Sequence, residues 1–381
     1  MKIAYISSAF LTDSELPLLQ EMIRQGADVF YFLQMSDSSR QATIVNVRSM
    51  KPEGGVFSAA EYPDLASLSA FVPLDRIFVV NLPKPTDFHW QSFRAVWALY
   101  RMLRSGGFDV IHVTSPLRYG SFLLYLLRRR MVMTMHDPLP HSGDRNRMNR
   151  LHRWMAFRCV RNFIVLSESL RDEFIQVCGL QHKRVFVSRM GVFSHLQLTV
   201  GAPMQLPERF VLFAGSINPH KGIRYLCEAL SHVAEPVNLV IAGRGKFDFD
   251  IQPYLASGRI QLINRFVTDE ELKTLMTKSL FVCCPYKDAT QSGVVLSAFA
   301  LGKPVLATRV GALAEEISEG RHGLLVDPCD SRALADGINQ MLQPGCLEQM
   351  SAAIQEDFSV GERSWQHIAA QTLQIYQNVK A

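Results

Sequence analysis

Short runs of apolar residues recur along this chain at nearly even intervals, and the stretches between them carry polar residues at helical period. In the first half the apolar runs fall at 2–7, 28–33, 77–81, 109–113, 131–135 and 163–166, with helix-period segments such as 14–25, 91–105 and 145–160 between them. The second half repeats the alternation: strands are predicted at 210–214, 237–242, 259–263, 280–284, 304–307 and 323–326, and one long helix at 361–378. Runs such as Ile77-Phe78-Val79-Val80 are continuous in β-branched and aromatic residues rather than alternating. Strands buried on both faces read this way. Strands separated by helices predict parallel sheets with helices on both sides. Between the halves, 191–208 holds Gly191, Gly201, Pro203 and Pro207 without a clear period and reads as a linker.

Composition narrows the class. A chain of 381 residues exceeds one ordinary core, and 48% hydrophobic with 20% charged residues excludes a disordered protein. The apolar stretch Phe122–Leu127 is stopped by Arg128-Arg129-Arg130, far short of the ~20 residues of a membrane helix. Met1-Lys2 runs straight into Ile3-Ala4-Tyr5-Ile6, with no signal-peptide pattern, so a cytoplasmic location is expected. Seven cysteines form no CxxC pair and no zinc spacing, and no disulfide framework is expected. Charge is uneven. Residues 1–200 hold 24 basic against 16 acidic residues, and the remainder 16 against 19. Much of the excess lies at 145–161, where Arg147, Arg150 and Arg153 stand on a basic amphipathic helix with no acid between Asp144 and Glu168. Such a face suits an anionic membrane surface or a lipid-pyrophosphate acceptor, or is simply solvated. Nucleic acid is not expected, because no reading motif accompanies the charge.

Candidate chemistry concentrates in the second half. Phe213-Ala214-Gly215-Ser216-Ile217-Asn218-Pro219-His220-Lys221-Gly222 forms a strand-to-helix turn. Ile241-Ala242-Gly243-Arg244-Gly245 and Phe266-Val267-Thr268-Asp269-Glu270-Glu271 follow. Pro285-Tyr286-Lys287-Asp288-Ala289-Thr290-Gln291-Ser292-Gly293 then makes a second strand-to-helix turn, leading into Ala298-Phe299-Ala300-Leu301-Gly302-Lys303-Pro304. Turns of this kind offer backbone amides and a positive helix end to a phosphate, with Lys221 in reach of a diphosphate. In order and spacing these segments resemble the donor domain of GT4-type glycosyltransferases, in a subgroup with a Thr-Gln-Ser-Gly turn. In the first half, Asp109–Pro116 and Met133-Thr134-Met135-His136-Asp137 resemble strand ends of the same family's acceptor domain.

The resemblance implies a GT-B fold of the α/β class: two Rossmann-like, doubly wound parallel-sheet domains facing a central cleft. The acceptor domain would span 1–195, with 361–381 packing back on it, and the donor domain 196–360. The implied reaction transfers a hexose-type sugar from a UDP- or GDP-sugar to a glycan or lipid-linked acceptor, with retention, as in polysaccharide biosynthesis. The protein would lie in the cytoplasm or peripherally on the inner face of the membrane. By the same resemblance His136, Asp137 and Lys221 are catalytic candidates, and Gly215, Ser216, Lys221, Arg265, Thr290, Gln291, Ser292, Gly293 and Ser297 donor contacts. No cofactor and no metal are expected, since Lys221 and amides can hold the diphosphate. Asp248-Phe249-Asp250 copies a metal motif of another fold in the wrong context. Two departures stand out. Ser297 replaces a family glutamate that contacts the donor ribose, and Ser216 replaces a common arginine. Glu315 and Glu316 fall where the family faces the donor, or at a surface helix start. Two other readings remain at this stage: a nucleotide-sugar epimerase-like enzyme and a catalytically degenerate binding subunit.

Overall fold

The computed structural model describes residues 1–42, 44–84, 89–114, 121–136, 138, 147–289 and 292–380. The chain divides into two compact units, residues 1–191 with 365–381, and residues 192–364.

The first unit is built on an eight-stranded sheet. Its strands are β1 (Lys2–Ser8), β2 (Asp28–Met35), β3 (Gly55–Ser58), β4 (Ile77–Asn81), β5 (Val110–Val113), β6 (Met131–Met135), β7 (Asn162–Val165) and β8 (Arg184–Val187). They lie in the order β8-β7-β6-β5-β1-β2-β4-β3. Pairing is parallel except where β3 returns against β4. The central strands are buried on both faces, as Ile3, Ala4, Tyr5 and Ile6 show. Two cores result. On one side Ile3, Tyr31 and Val79 meet the helices Thr12–Arg24 and Trp365–Lys380. On the other side Ala4, Phe32 and Val80 meet the helices Trp90–Ser105 and Arg147–Cys159 and the 3-10 helix Ser121–Arg130.

In the second unit β9 (Phe210–Ala214), β10 (Asn238–Ala242), β11 (Ile260–Ile263), β12 (Val282–Cys284), β13 (Val305–Thr308) and β14 (Gly323–Val326) are all parallel. Their order is β11-β10-β9-β12-β13-β14. Counted within the unit this is 3-2-1-4-5-6, the Rossmann order, whose direction reverses between the first and fourth strands. Ligands of such sheets bind beyond the carboxyl ends of those two strands. Here they are β9 and β12, which pair through Leu212 and Val282.

Candidate functional site

Both strands at this reversal end in the turns singled out by their sequence. Past β9, Gly215 donates its amide to Ala242 O at 3.0 Å, and Ser216 stands exposed. The chain then makes a 3-10 turn over Pro219–Lys221. Gly222 closes the turn at φ 63°, and a Cβ there would stand 1.9 Å from Pro285 O, so only glycine fits. Lys287 N donates to His220 O at 2.8 Å and ties the turn to the segment after β12.

That tie sets the position of Lys221. Its ammonium lies 3.6 Å from the centroid of the fully buried Tyr286 ring, a cation–π contact. Burial draws the ammonium's pKa down. The Tyr286 hydroxyl lies 3.4 Å from Ser292 Oγ, and its carbonyl accepts from Thr308 Oγ1 at 2.5 Å. Ser292 is buried, and the helix Gly293–Ala300 starts directly after it with no side-chain cap. Among the described residues no group takes the amides of Gly293 and Val294, which leaves them available to an anion. Lys221, Tyr286 and the start of this helix thus form one cationic corner. Gly293 is exposed, and a Cβ there would press on the Phe193 ring at 3.0 Å. Thr290 and Gln291 lie outside the described residues.

Two further donor candidates lie on neighbouring elements. Arg265 follows the edge strand β11, and its guanidinium is held by Glu271 through bonds of 2.7 and 2.6 Å. Ser297 is buried inside its helix. Two carboxyl groups elsewhere are clarified as well. Asp248 pairs with Lys287 at 3.6 Å, and Asp250 accepts from Gln252 N at 3.0 Å. Among the described residues no group of three His, Cys, Asp or Glu could hold a metal ion.

In the first unit His136 follows β6 directly and is half-buried. It lines a cavity of about 40 Å³ with Tyr5, Glu15, His112 and Trp365, room for one or two waters. His112 is fully enclosed, with Nε2 2.8 Å from Thr134 Oγ1 and Nδ1 bonded to the Tyr376 hydroxyl. Burial, reinforced by the His136 charge, lowers its pKa to about 3. It is a satisfied core histidine. Burial pushes the neighbouring Glu15 up to about 8, against the opposing pull of the Ser7 and Thr114 hydroxyls. Asp137 lies outside the described residues. On the helix Arg147–Cys159, Arg150 is exposed, while Arg153 is half-buried, donates to Pro138 O and lies over Phe157. The side chain of Arg147 lies outside the described residues.

The architecture matches solved structures over the whole chain. Sucrose-phosphate synthase from Thermosynechococcus elongatus superposes with a TM-score of 0.66 at 17% identity, covering 100% of this chain and 99% of that one. Anabaena HepE in complex with UDP gives 0.61 at 18% identity, covering 100% and 98%. At these identities the likeness shows the fold, GT-B. Two family models match the sequence: one described as glycosyl transferases group 1 over residues 208–344, the other as glycosyltransferase family 4 over 18–192. Each of the two units thus carries a match to a glycosyltransferase domain, within a GT-B fold. Among the relatives of this glycosyltransferase is an MMP alpha-(1->4)-mannosyltransferase of Mycolicibacterium hassiacum, 24% identical over 327 residues, 80% of this chain and 77% of the relative.

Two features of the glycosyltransferase escaped sequence reasoning. Tyr286 was visible only as part of a motif, and its ring turns out to support Lys221. Glu316 was an undecided surface candidate. The structure half-buries it and leaves Oε2 shielded, with no hydrogen-bond partner among the described residues. Burial pushes its pKa to about 8, offset in part by Arg363 and reinforced by Glu315.

Proposed function

We propose that this glycosyltransferase moves a hexose-type sugar from a UDP- or GDP-sugar to a glycan or lipid-linked acceptor, with retention of anomeric configuration. The observation that carries the donor assignment is Lys221. Its ammonium is half-buried at the sheet's reversal point and stacked on Tyr286, and among the described residues it has no carboxylate within ion-pair distance. A half-buried cation without a counter-ion is costly unless an anion arrives. A nucleoside diphosphate supplies one. When the bond between the anomeric carbon and the diphosphate oxygen breaks, its electron pair goes to that oxygen. Lys221 and the amides opening the helix Gly293–Ala300 stabilise the charge that develops there. This arrangement needs no metal. The Thr290-Gln291-Ser292-Gly293 turn would complete the phosphate cradle, with Gly215 and Ser216 at its rim. Bound UDP in HepE supports UDP as the first nucleotide to test. His136 and Asp137, with Arg147 and Arg150, stay as proposed acceptor-side residues of the first unit.

The buried Ser297 favours a second reading, because no carboxylate stands at the family's ribose-contacting position. The chain would then bind nucleotide sugars without turning them over. One experiment separates the two: thermal unfolding with UDP, GDP, ADP and their sugars, followed by a turnover assay on whichever donor stabilises the protein. Stabilisation with turnover, both lost in Lys221→Ala and both retained in chelator, is the expected result. Stabilisation without transfer or donor hydrolysis would select the binding subunit. Absence of stabilisation by every nucleotide would refute the donor site.

A further inference from the structure

One helical layer of the first unit presents an outer face unlike an ordinary solvated surface. On the helix Trp90–Ser105 the inner face, Ala95, Val96, Leu99 and Leu103, is fully buried against the sheet. The outer face carries Trp90, Phe93 and Trp97, which are 68%, 43% and 45% exposed. Their rings stack in a row, with centroids 6.2 and 6.4 Å apart. At 100° per residue, Arg94, Arg101 and Arg104 fall on the same arc, and all three are exposed. The 3-10 helix Ser121–Arg130 packs beside this helix and in turn touches the helix Arg147–Cys159. These two add exposed Phe122, Leu126 and Trp154. None of the three elements contains an aspartate or a glutamate.

We propose that this layer is a docking face for an anionic lipid bilayer, with Trp90, Phe93 and Trp97 seated in the interface and the flanking arginines on lipid phosphates. The inference is independent of glycosyl transfer. A continuous exposed apolar patch marks an interaction surface. Indole and guanidinium groups interleaved without an acid are the chemistry of the membrane interface, where one end of each side chain stays wet. Charge decides the occupant. A two-fold contact with a second copy would set Arg94, Arg101 and Arg104 against their own counterparts, whereas an anionic surface satisfies all three. No helix among the described residues is long and apolar enough to cross a membrane, so the contact would lie in the plane of the interface.

The test is flotation of the full chain with vesicles of phosphatidylcholine alone or doped with phosphatidylglycerol, read together with tryptophan emission. Trp90, Trp97 and Trp154 are three of the four tryptophans and all are exposed, so insertion shifts the emission to the blue. The expected result is binding to the anionic vesicles with a blue shift. The variant Trp90→Ser/Phe93→Ser/Trp97→Ser should weaken it about tenfold or more, with thermal unfolding unchanged. Arg94→Gln/Arg101→Gln/Arg104→Gln should remove the preference for phosphatidylglycerol, again by about tenfold. Equal flotation of wild type and the aromatic variant would overturn the proposal. So would an absence of vesicle binding, including the case where sedimentation shows a dimer that the aromatic variant dissolves.

Discussion

If Lys221 holds the donor diphosphate as proposed, it trades stability for binding in the free protein, and that trade can be measured. Lys221→Met replaces an ammonium resting on Tyr286 by an apolar chain of similar length. The expected signature is unfolding at the same or a higher temperature without nucleotide, no nucleotide-induced rise, and a fall in kcat/KM of about a hundredfold or more. A merely structural lysine would instead lower the unfolding temperature and leave the nucleotide effect in place. Glu15 gives a second residue-scale prediction. Its folded pKa of about 8 lies above the ordinary 4.5, so the folded chain holds a proton that the unfolded chain has lost. The associated stability is complete below about pH 4.5 and disappears as pH rises through about 8. Glu316 has the same sign. Urea midpoints should therefore fall between about pH 5 and 8, less steeply in Glu15→Gln, and least in Glu15→Gln/Glu316→Gln. An unchanged slope in the double variant would contradict both assignments. The place of Lys221 on a strand-to-helix turn was legible, because its residue type and the flanking glycine and proline suffice to mark it. Glu15 and Glu316 were not, since burial of a carboxyl group depends on chain segments far away in sequence.

For single elements, the turn after β9 depends on one backbone conformation. Gly222→Ala must accommodate both φ 63° and a Cβ 1.9 Å from Pro285 O. It should cost about 2–4 kcal/mol in urea unfolding. Gly26, at φ 86° with nothing within 4 Å of a Cβ, provides the contrast. Gly26→Ala should cost about 1 kcal/mol. Equal costs would mean that the contact with Pro285 is relieved elsewhere. The strands were the most legible elements: β1, β2, β4 to β7 and β9 to β14 all fall within two residues of the apolar runs that predict them. Within the two main sheets β3 and β8 were missed; they are edge strands with half-exposed residues, so no continuous apolar run announces them. The helix Trp90–Ser105 was legible as a helix, but its aromatic row was not read as a surface. Tryptophan and phenylalanine at helical spacing look the same in sequence whether they face inward or outward.

Across the whole molecule, each unit has its own cores, one set around the eight-stranded sheet and one around the six-stranded sheet. Calorimetry should resolve two unfolding transitions, and a bound nucleoside diphosphate should raise only the one that Lys221→Ala leaves unresponsive. A single transition moving as a whole would show that the units unfold together. The fold class could be read from the alternation of strands and helices. No composition shift marks residues 191 and 364, where the chain passes to the second unit and returns to the first. That return has a consequence for how the protein is made. Tyr376 bonds His112 and Lys380 pairs with Asp109, so the first unit is closed by a stretch synthesised only after the whole second unit. The second unit is complete in sequence by residue 364 and can fold while the first still waits, one side of its sheet only partly covered. A nascent chain that stops short there would keep a finished second unit attached to an unfinished first one, and exposed apolar strands would hand it to chaperones and proteases.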